Sequence, residues 1–563
     1  MTTCDGDLVP NADLVLAGGP VFTADHARPW ARAVAVTGGR IVAVGDDVHD
    51  LDHLVGSGTE RVDLAGGLLV PGFQDAHAHP VWAALELSRC ALDGATDARG
   101  YLDRVDRYAA QHPEREWILG GGWSMSAFPG GTPTAAALDA VVPDRPVFLP
   151  NADHHGAWVN SEALRLAGIT AATPDPADGR IERDAAGHPT GTLHEGAMSL
   201  VSRLVPPPTV AELTEALLLA QSHLHALGVT AWQDAIIGDY QGESDPAAAY
   251  LSASGSGLLT ARVVGALWWR RDRGLEQVPH LLERREALTT DRFAATTVKV
   301  MQDGVAENFT AAMTRPYCDG HGHPTDNSGI SFVDPAVLAE AVTALDGHGF
   351  QLHFHAVGDA AVRQCLDAVA AATERNGRRD ARHHIAHLQV VHPDDVPRFA
   401  RLGVVANMQA FWAAYETQMV DLTLPFLAEQ SHGHQYPFGD LVRSGARLAA
   451  GSDWPVSTPD PVAALHVAVN RTLPPYDEDY LPDYGPFLPE QRLDLATALT
   501  AYTSGSAYVN HLDGDTGTIR EGALADLVVL DRDPFSGPPE EIAACRVLQT
   551  FIDGRRVHAA DDA

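Results

Sequence analysis

The chain has 563 residues, of which 45% are apolar and 20% charged, values typical of a folded globular protein with a sizeable core. Its 39 Lys and Arg residues against 74 Asp and Glu residues give a formal net charge of -35. Such a field repels nucleic-acid phosphates and anionic lipid surfaces. We therefore expect a small-molecule substrate, and neither nucleic acid nor a membrane as partner.

The sequence predicts a cytoplasmic protein. Its first residues, MTTCDGDLVPNADLVL, lack the basic and apolar regions of a secretory signal. No apolar run approaches the roughly 20 residues of a transmembrane helix. The five cysteines lie far apart without a CxxC pair, which is typical of reduced thiols and not of a disulfide framework or a zinc knuckle.

Two strand-rich ends enclose a long middle region. Residues 1–68 read as short strands separated by Gly-Gly and Gly-Pro turns, and residues 512–563 have the same texture. This pattern predicts a small β-sandwich built from both chain ends, with two unrelated edge sheets as the alternative. Residues 69–511 alternate strands with helices, which predicts an α/β fold with a (β/α)8 TIM-type barrel. We count eight barrel strands from LLVPGFQDAHAH to LAAGSDWP, take VFLPNADHH as the second, and expect an inserted lid over residues 81–146.

The end of the first predicted barrel strand carries the sequence Asp75-Ala76-His77-Ala78-His79-Pro80. Residues two apart on a strand point to the same face, so His77 and His79 project together into the barrel. Two imidazoles from one rigid element favour binding of a divalent metal over a pair of solvated loop histidines.

Lys299 lies inside the apolar fourth strand, TTVKVMQDG, where a bare ammonium group is costly to bury. It could pair with a carboxylate, or its neutral amine could react with carbon dioxide to give a carbamate that bridges two metals. Asp303 follows at the exit of the strand, where it could hydrogen-bond within the site, and we assign it to substrate binding.

Three further strands end in candidate ligands. His355 ends the fifth strand and His387 the sixth, with His353 as a competitor that shares the face of His355 but lies farther from the strand end. Asp453 follows the eighth strand in GSDWP. A carboxylate there can bind a metal, accept a proton from water and deliver it to a leaving group, although a helix N-cap is the alternative.

With these residues in this strand order, the chain resembles the amidohydrolase superfamily, and within it the N-substituted formamide deformylase-like branch (amidohydrolase 3). The matching segments are FQDAHAH, HHGAWVNSEAL, VKVMQDG, HAVGD, IAHLQ, GSDWP and GALADLVVLDRDP. The resemblance covers essentially the whole chain and implies two groups of metal ligands. By this resemblance, a first metal is bound by His77, His79 and Asp453, and Lys299 as a carbamate bridges to a second metal, which His355 and His387 hold.

The resemblance also marks His154, His155 and Trp158. A histidine pair there could orient a substrate carbonyl or carboxylate, so we assign His155 to the catalytic residues together with Asp453 and Lys299. His154 and Trp158 are assigned to substrate binding. Capping of the helix that follows explains the next residues, Asn160 and Ser161, equally well.

Together these residues predict hydrolysis of a carbon–nitrogen bond in an amide, N-formyl or N-acyl compound by metal-activated water, with Asp453 as general base and acid. Lactone or ester hydrolysis, carbon–carbon bond cleavage on the same metals, and a non-catalytic scaffold are the alternatives. We expect one or two divalent metals per chain, zinc before manganese or iron, and a homodimer. In a related deacylase branch, a cysteine from an earlier strand replaces the bridging lysine. That branch is disfavoured, because the predicted third strand, VTAWQDA, contains no cysteine.

Overall fold

The computed structural model describes residues 11–47, 49–241 and 243–560. The first ten residues of the predicted N-terminal part and the last three of the C-terminal part lie outside the described residues. None of the helices in the described ranges has the length and apolar character needed to cross a membrane.

The described residues form 22 strands: β1 (Leu14–Phe22), β2 (Trp30–Thr37), β3 (Arg40–Gly45), β4 (Glu60–Asp63), β5 (Leu68–Pro71), β6 (Phe73–Ala78), β7 (Cys90–Ala91), β8 (Ile118–Gly121), β9 (Val147–Pro150), β10 (Gly156–Val159), β11 (Gly179–Arg183), β12 (Pro189–Glu195), β13 (Val229–Ile237), β14 (Arg262–Trp268), β15 (Phe293–Met301), β16 (Gln351–Ala356), β17 (His384–His387), β18 (Val405–Met408), β19 (Leu448–Ala450), β20 (Leu527–Leu530), β21 (Val547–Ile552) and β22 (Arg555–Ala559).

The same residues form 16 α-helices: α1 (Pro80–Leu87), α2 (Ala98–Gln111), α3 (Ala135–Asp139), α4 (Ser161–Ala167), α5 (Ser199–Ser202), α6 (Val210–Ala226), α7 (Ala247–Gly255), α8 (Val278–Ala287), α9 (Pro335–Gly347), α10 (Asp359–Asn376), α11 (Val396–Leu402), α12 (Glu429–His432), α13 (Phe438–Arg443), α14 (Pro461–Asn470), α15 (Leu495–Thr500) and α16 (Ser506–Val509).

Eight parallel strands form a nearly closed barrel in the order β6, β13, β14, β15, β16, β17, β18 and β19. Helices separate successive strands, and strands such as β13 are buried along their whole length, as expected when helices cover a parallel sheet. The predicted (β/α)8 fold class is therefore confirmed. All the strand ends that carry candidate ligands meet at the C-terminal face of the barrel, where barrel enzymes build their active sites.

One barrel strand was assigned wrongly from the sequence. The second barrel strand is β13, and β14 (RVVGALW), which the sequence analysis did not count, is the third. The segment VFLPNADHH contributes β9 to a different sheet. The pattern was misleading because β9 pairs in parallel with β8, as a barrel strand would with its neighbour, and is equally apolar.

The insert between β6 and β13 contains a six-stranded sheet in the order β11, β12, β10, β9, β8 and β7. Apolar side chains from this sheet and from α2–α5 form two cores of their own. Because the sheet continues to the end of β12, the insert extends beyond the predicted range of 81–146. Its loop between β9 and β10 reaches the barrel mouth, where His154 and His155 line a cavity.

Strands from both chain ends join in one further sheet. β20, β21 and β22 pair alongside β5, which is followed by β1, β2 and β3, with β4 beside β1. The antiparallel ladder between β5 and β20 links segments more than 450 residues apart in the chain, from Leu68–Leu530 to Pro71–Leu527. The first barrel strand starts two residues after β5, so this sheet fixes where β6 enters the barrel.

Candidate metal centre

His77 and His79 converge on one carboxylate oxygen at the end of β6. The Nε2 atom of His77 lies 3.0 Å from Asp453 Oδ1, and that of His79 lies 3.2 Å from the same atom. All three side chains are buried. Burial lowers the pKa of His77 to about 3, so its imidazole is neutral, the form that binds metals. Burial alone would raise the pKa of Asp453, but His77, His79 and His387 hold it well below its usual value.

The ends of β6 and β19 are fastened to each other, which fixes this geometry. Asp75 accepts hydrogen bonds from the backbone N–H of His77 (2.9 Å) and from the hydroxyl of Ser452 (2.5 Å). The backbone N–H of Asp453 donates to the carbonyl oxygen of His77 at 2.7 Å. A Cβ at Gly451 would lie 2.6 Å from the backbone nitrogen of His77, so only glycine allows this close approach.

His387 has two buried ring nitrogens, and neither forms a hydrogen bond within the described part of the chain. Its Nδ1 atom lies 3.8 Å from Asp453 Oδ2. Ligand atoms of His77, His387 and Asp453 all lie within 4.8 Å of one another, a spacing that can hold a metal ion. Buried polar atoms without partners are costly, and a bound metal would satisfy them.

His355 extends the group toward a second metal position. Its ring centroid lies 4.3 Å from that of His387. Its Nε2 atom is 3.2 Å from the carbonyl oxygen of Gly304, to which an Nε2–H can donate. That bond would leave the Nδ1 lone pair of His355 available to a metal, the usual arrangement for a histidine ligand oriented by a carbonyl.

His353, the competitor of His355, lies one layer deeper in the barrel. Its Nε2 atom is 2.9 Å from His77 Nδ1, and its Nδ1 atom is 2.6 Å from Gln233 Oε1. The Gln233 amide nitrogen donates to Gln351 and Asn510, so its oxygen must accept from His353. His353 Nε2 then accepts from His77 Nδ1–H, which leaves His77 Nε2 unprotonated and facing Asp453. His353 thus orients a ligand and is not placed as one.

Lys299 lies on the wall of the same centre, where its amine loses its proton more readily than that of an exposed lysine. Its side chain is buried, and burial lowers its pKa to about 7. Its Nζ atom lies 3.5 Å from His353 Nε2, and the ion pairs among the described residues do not include Lys299. The sequence left two interpretations of Lys299, an ion pair with a carboxylate and a carbamate. The described residues provide no carboxylate paired with Lys299, and its amine faces the cavity that His77 and His387 line.

Two histidines of the insert reach the centre, each paired with a buried glutamate. His155 Nδ1 lies 2.9 Å from Glu195 Oε1, and Thr310 donates to the same oxygen at 2.8 Å. Burial alone would lower the pKa of His155, but the charge and hydrogen bond of Glu195 raise it. His154 Nε2 lies 3.2 Å from Glu86 Oε2. The two glutamates therefore favour the protonated form of both histidines beside the candidate metal ligands.

Four residues of the site have a positive backbone φ that is unfavourable for side chains with a Cβ. The values are 60° at His154, 51° at Glu195, 79° at His387 and 61° at Asp453. Such conformations cost on the order of 1–3 kcal/mol each and persist where the surrounding structure enforces them. Their concentration around one cavity is typical of a functional site.

Two predicted substrate-binding residues lie away from the cavities. Trp158 is fully buried inside the insert, where its indole N–H donates to the carbonyl oxygen of Thr134 at 2.8 Å. Asp303 is also fully buried, and its carboxylate accepts from the backbone N–H groups of Ala312, Val357 and Gly358. Both positions fit structural roles, because neither side chain lines the barrel mouth.

Two connected cavities open at the centre. The smaller, of about 50 Å³, is lined by His77, His79, His154, Lys299 and Tyr240 among others. The larger, of about 250 Å³, extends outward toward the loops after β18 and α14. Both cavities share His155, His355, His387 and Asp453 in their walls. A substrate can therefore place one group at the ligands and the remainder in the larger cavity.

Sequence reasoning missed the residues that orient the ligands. Gln233 lies in the middle of β13, Asp75 two residues before His77, and Glu195 at the end of β12. A polar residue inside an apolar strand, as in VTAWQDA, is the one signal that could have marked Gln233. The contact of Glu195 with His155 joins two separate segments of the insert, so no local sequence pattern marks it.

Comparison with known proteins agrees with this geometry. The model of the family described as "Amidohydrolase family" matches residues 60–558. The chain is 32% identical to Protein LONG AFTER FAR-RED 3 of Arabidopsis thaliana over 557 residues, covering 97% of this chain and 92% of that protein. It is 28% identical to the N-substituted formamide deformylase of Arthrobacter pascens, covering 96% and 97%.

The fold also matches solved structures. An uncharacterized metal-dependent hydrolase from Pyrococcus horikoshii OT3 superposes with a TM-score of 0.71 at 25% sequence identity. That match covers 93% of this chain and 99% of the other.

Proposed function

The chain belongs to the amidohydrolase family and is a metal-dependent hydrolase of carbon–nitrogen bonds other than peptide bonds, and from this premise we propose that it hydrolyses an N-formyl or N-acyl amide of a small molecule. The observation that carries the proposal is the convergence of His77, His79 and His387 on the Asp453 carboxylate at the barrel mouth. The similarity to an N-substituted formamide deformylase over nearly the whole chain supports the choice of bond.

The residues present fit one or two divalent metals. The buried, unpartnered nitrogens of His387 and the neutral imidazoles of His77 and His355 are suited to a metal such as zinc, with manganese or iron as alternatives. The ligands would be His77, His79, His355, His387, Asp453 and the Lys299 carbamate. A metal bound there polarises a carbonyl group and lowers the pKa of water toward neutrality.

Asp453 is the group we assign to proton transfer. Its carboxylate is ionised, because the surrounding imidazoles hold its pKa well below the usual value. It can accept the proton of the attacking water and deliver it to the amide nitrogen. Without that proton the nitrogen would leave as an amine anion, which is a very poor leaving group.

Lys299 is proposed to become a carbamate. Its unprotonated amine attacks carbon dioxide, an N–C bond forms, and one proton is released to solvent. The product is a carbamate with one negative charge. Its two oxygens lie close to the present position of the amine. The lowered pKa of Lys299 supports this step, because only the neutral amine reacts.

His155 is proposed to hold the substrate carbonyl. Glu195 raises the pKa of its imidazole, which favours the protonated form, and holds the ring through Nδ1. The ring lies beside His355, with a centroid separation of 5.4 Å, and lines both cavities. An N–H donor in this position can stabilise the oxyanion that develops as water adds to the carbonyl.

The proposal is tested by amine release from a panel of N-formyl, N-acetyl and cyclic amides, with protein loaded with zinc or manganese. We expect release with at least one class, and a loss of at least about 100-fold in Asp453→Asn. Asp483→Asn, which removes an exposed carboxylate outside both cavities, is the matched control. Metal-loaded protein that releases no amine but cleaves esters or lactones would contradict the assignment of the bond.

A further inference from the structure

The larger cavity is rich in carboxylates. Six of its 22 lining residues are Asp or Glu and none is Lys or Arg. Besides Asp453, these are Asp153, Glu307, Glu416, Asp477 and Asp479. The whole chain has 74 acidic and 39 basic residues among 563. The lining of the cavity is therefore richer in acidic residues and poorer in basic residues than the chain as a whole. The wall facing a bound substrate is therefore rich in acidic groups.

The arrangement differs from that of a second metal site. Among the described residues, the groups of three or more ligand atoms close enough to hold an ion comprise only His77, His387 and Asp453. The other carboxylates are distributed around the cavity. Phe411, Trp412 and Tyr436 add aromatic surface to the same lining. Carboxylates spread among aromatic rings are suited to an organic cation, which gains from both the charges and the ring faces.

Tyr436 supplies an independent sign of a polar ligand. Its side chain is only 3% exposed, it lines the larger cavity, and its hydroxyl forms no hydrogen bond with the described part of the chain. A hydroxyl that reaches the cavity without a protein partner is free to accept a hydrogen bond from an N–H group of a ligand. Burial, and then the charges of Asp479, Glu307 and Asp477, raise the pKa of Glu416 to about 8. A bound cation would relieve that repulsion.

We propose that this cavity selects amides that carry a second, positively charged nitrogen, such as the monoacyl derivative of a diamine. The inference rests on the proposed function, which places the scissile bond at Asp453. The ammonium group then lies among the carboxylates of the larger cavity. A volume of about 250 Å³ accommodates a short aliphatic chain that joins the two nitrogens. A substrate of net negative charge is disfavoured by the same wall.

Two sulfonamides that cannot be hydrolysed test the inference without relying on turnover. N-(4-aminobutyl)methanesulfonamide and N-pentylmethanesulfonamide have nearly the same shape and differ in one positive charge. Their binding to the full-length, metal-loaded protein is measured by isothermal titration calorimetry. We expect the cationic probe to bind at least about tenfold more tightly, equivalent to about 1.4 kcal/mol. Equal binding, or tighter binding of the neutral probe, would overturn the inference.

Variants then locate the preference. Glu416→Gln and Asp477→Asn should each reduce the preference for the cationic probe at least about threefold and leave the affinity for the neutral probe unchanged. Asp483→Asn, at an exposed carboxylate that lines neither cavity, should retain the wild-type preference. A preference that survives both cavity variants would overturn the assignment to this cavity.

The outcome is separable from that of the proposed function. Selective binding of the cationic probe without hydrolysis of any amide would support this inference and contradict the proposed reaction. Hydrolysis of neutral and cationic amides with equal kcat/KM would support the reaction and contradict this inference.

Discussion

The Nδ1 atom of His77 lies 2.9 Å from the Nε2 atom of His353, and this contact sets the tautomer of His77, the first of the proposed metal ligands. Gln233 fixes the proton of His353 on Nδ1, so His77 must donate through its own Nδ1. The lone pair of His77 Nε2 is thereby directed at the centre. The metal site is thus organised from a layer of side chains below it, inside the barrel.

Replacement of His353 should weaken metal binding without removing a ligand. His353→Phe keeps the ring volume but removes the acceptor for His77, and we expect metal affinity to fall by about 10–100-fold, the usual effect of such supporting residues. A competition titration with a chelator measures the affinity, and circular dichroism checks the fold. The exposed His223→Phe serves as control. Unchanged affinity in His353→Phe would contradict the proposed tautomer relay.

The bridging role of Lys299 predicts chemical rescue. Lys299→Ala should bind less metal and lose at least about 100-fold in amine release, because the bridging carboxylate is absent. Short carboxylates such as acetate or propionate should partly restore both metal binding and amine release. The wild-type protein should show a mass increase of one carbon dioxide. If the variant binds metal like the wild type and carboxylates restore no activity, the bridging role is wrong.

The pairing of His155 with Glu195 predicts a catalytic effect with a spectroscopic signature. In Glu195→Gln the positive charge of His155 loses its partner, so the pKa of His155 should fall, because burial then dominates. We expect kcat to fall by about 100-fold. NMR titration of labelled histidines measures the pKa, with Glu182→Gln as control, because the half-buried Glu182 pairs with a different histidine, His194. A normal kcat with an altered pKa would remove His155 from the catalytic residues.

The pairing of His154 with Glu86 makes stability depend on pH. Burial alone would lower the pKa of His154, but Glu86, Glu243 and Asp153 raise it to about 9. A raised pKa stabilises the fold fully below the unfolded value of about 6.5, and the contribution is lost as pH rises through about 9. Its upper bound is about 3 kcal/mol.

Glu86→Gln should therefore lower the melting temperature more at about pH 6 than at about pH 9.5. Glu114→Gln, next to the exposed His112, is the matched control and should have little effect at either pH. A difference between Glu86→Gln and the wild type that stays constant or grows with pH would contradict the assigned pKa.

The fold class and the convergence of the candidate ligands could be predicted because they follow from local periodicity. The two-residue repeat of a strand places His77 and His79 on one face, and each further ligand ends its own strand. The same periodicity gives His353 and His355 a common face, but it carries no information about depth in the barrel. Only the structure shows that His353 belongs to the layer that supports His77.

Other features depended on contacts between distant segments. The alternation of strands with helices does not show which parallel strands belong to the barrel. The sequence therefore predicts β9 as the second barrel strand, the place that β13 occupies, and omits β14. Trp158 follows the histidine pair closely in sequence, yet β10 turns its side chain into the core of the insert. The six carboxylates of the larger cavity come from five separated segments, and no motif marks them.

Hydrolysis is proposed to depend on a metal held around Asp453. The most direct measurement removes the metal with a chelator and follows amine release from the most reactive amide of the panel as zinc or manganese is added back. We predict that release disappears in the metal-free protein, returns in proportion to bound metal in the wild type, and does not return in Asp453→Asn. Full activity in protein with a negligible metal content would contradict the claim.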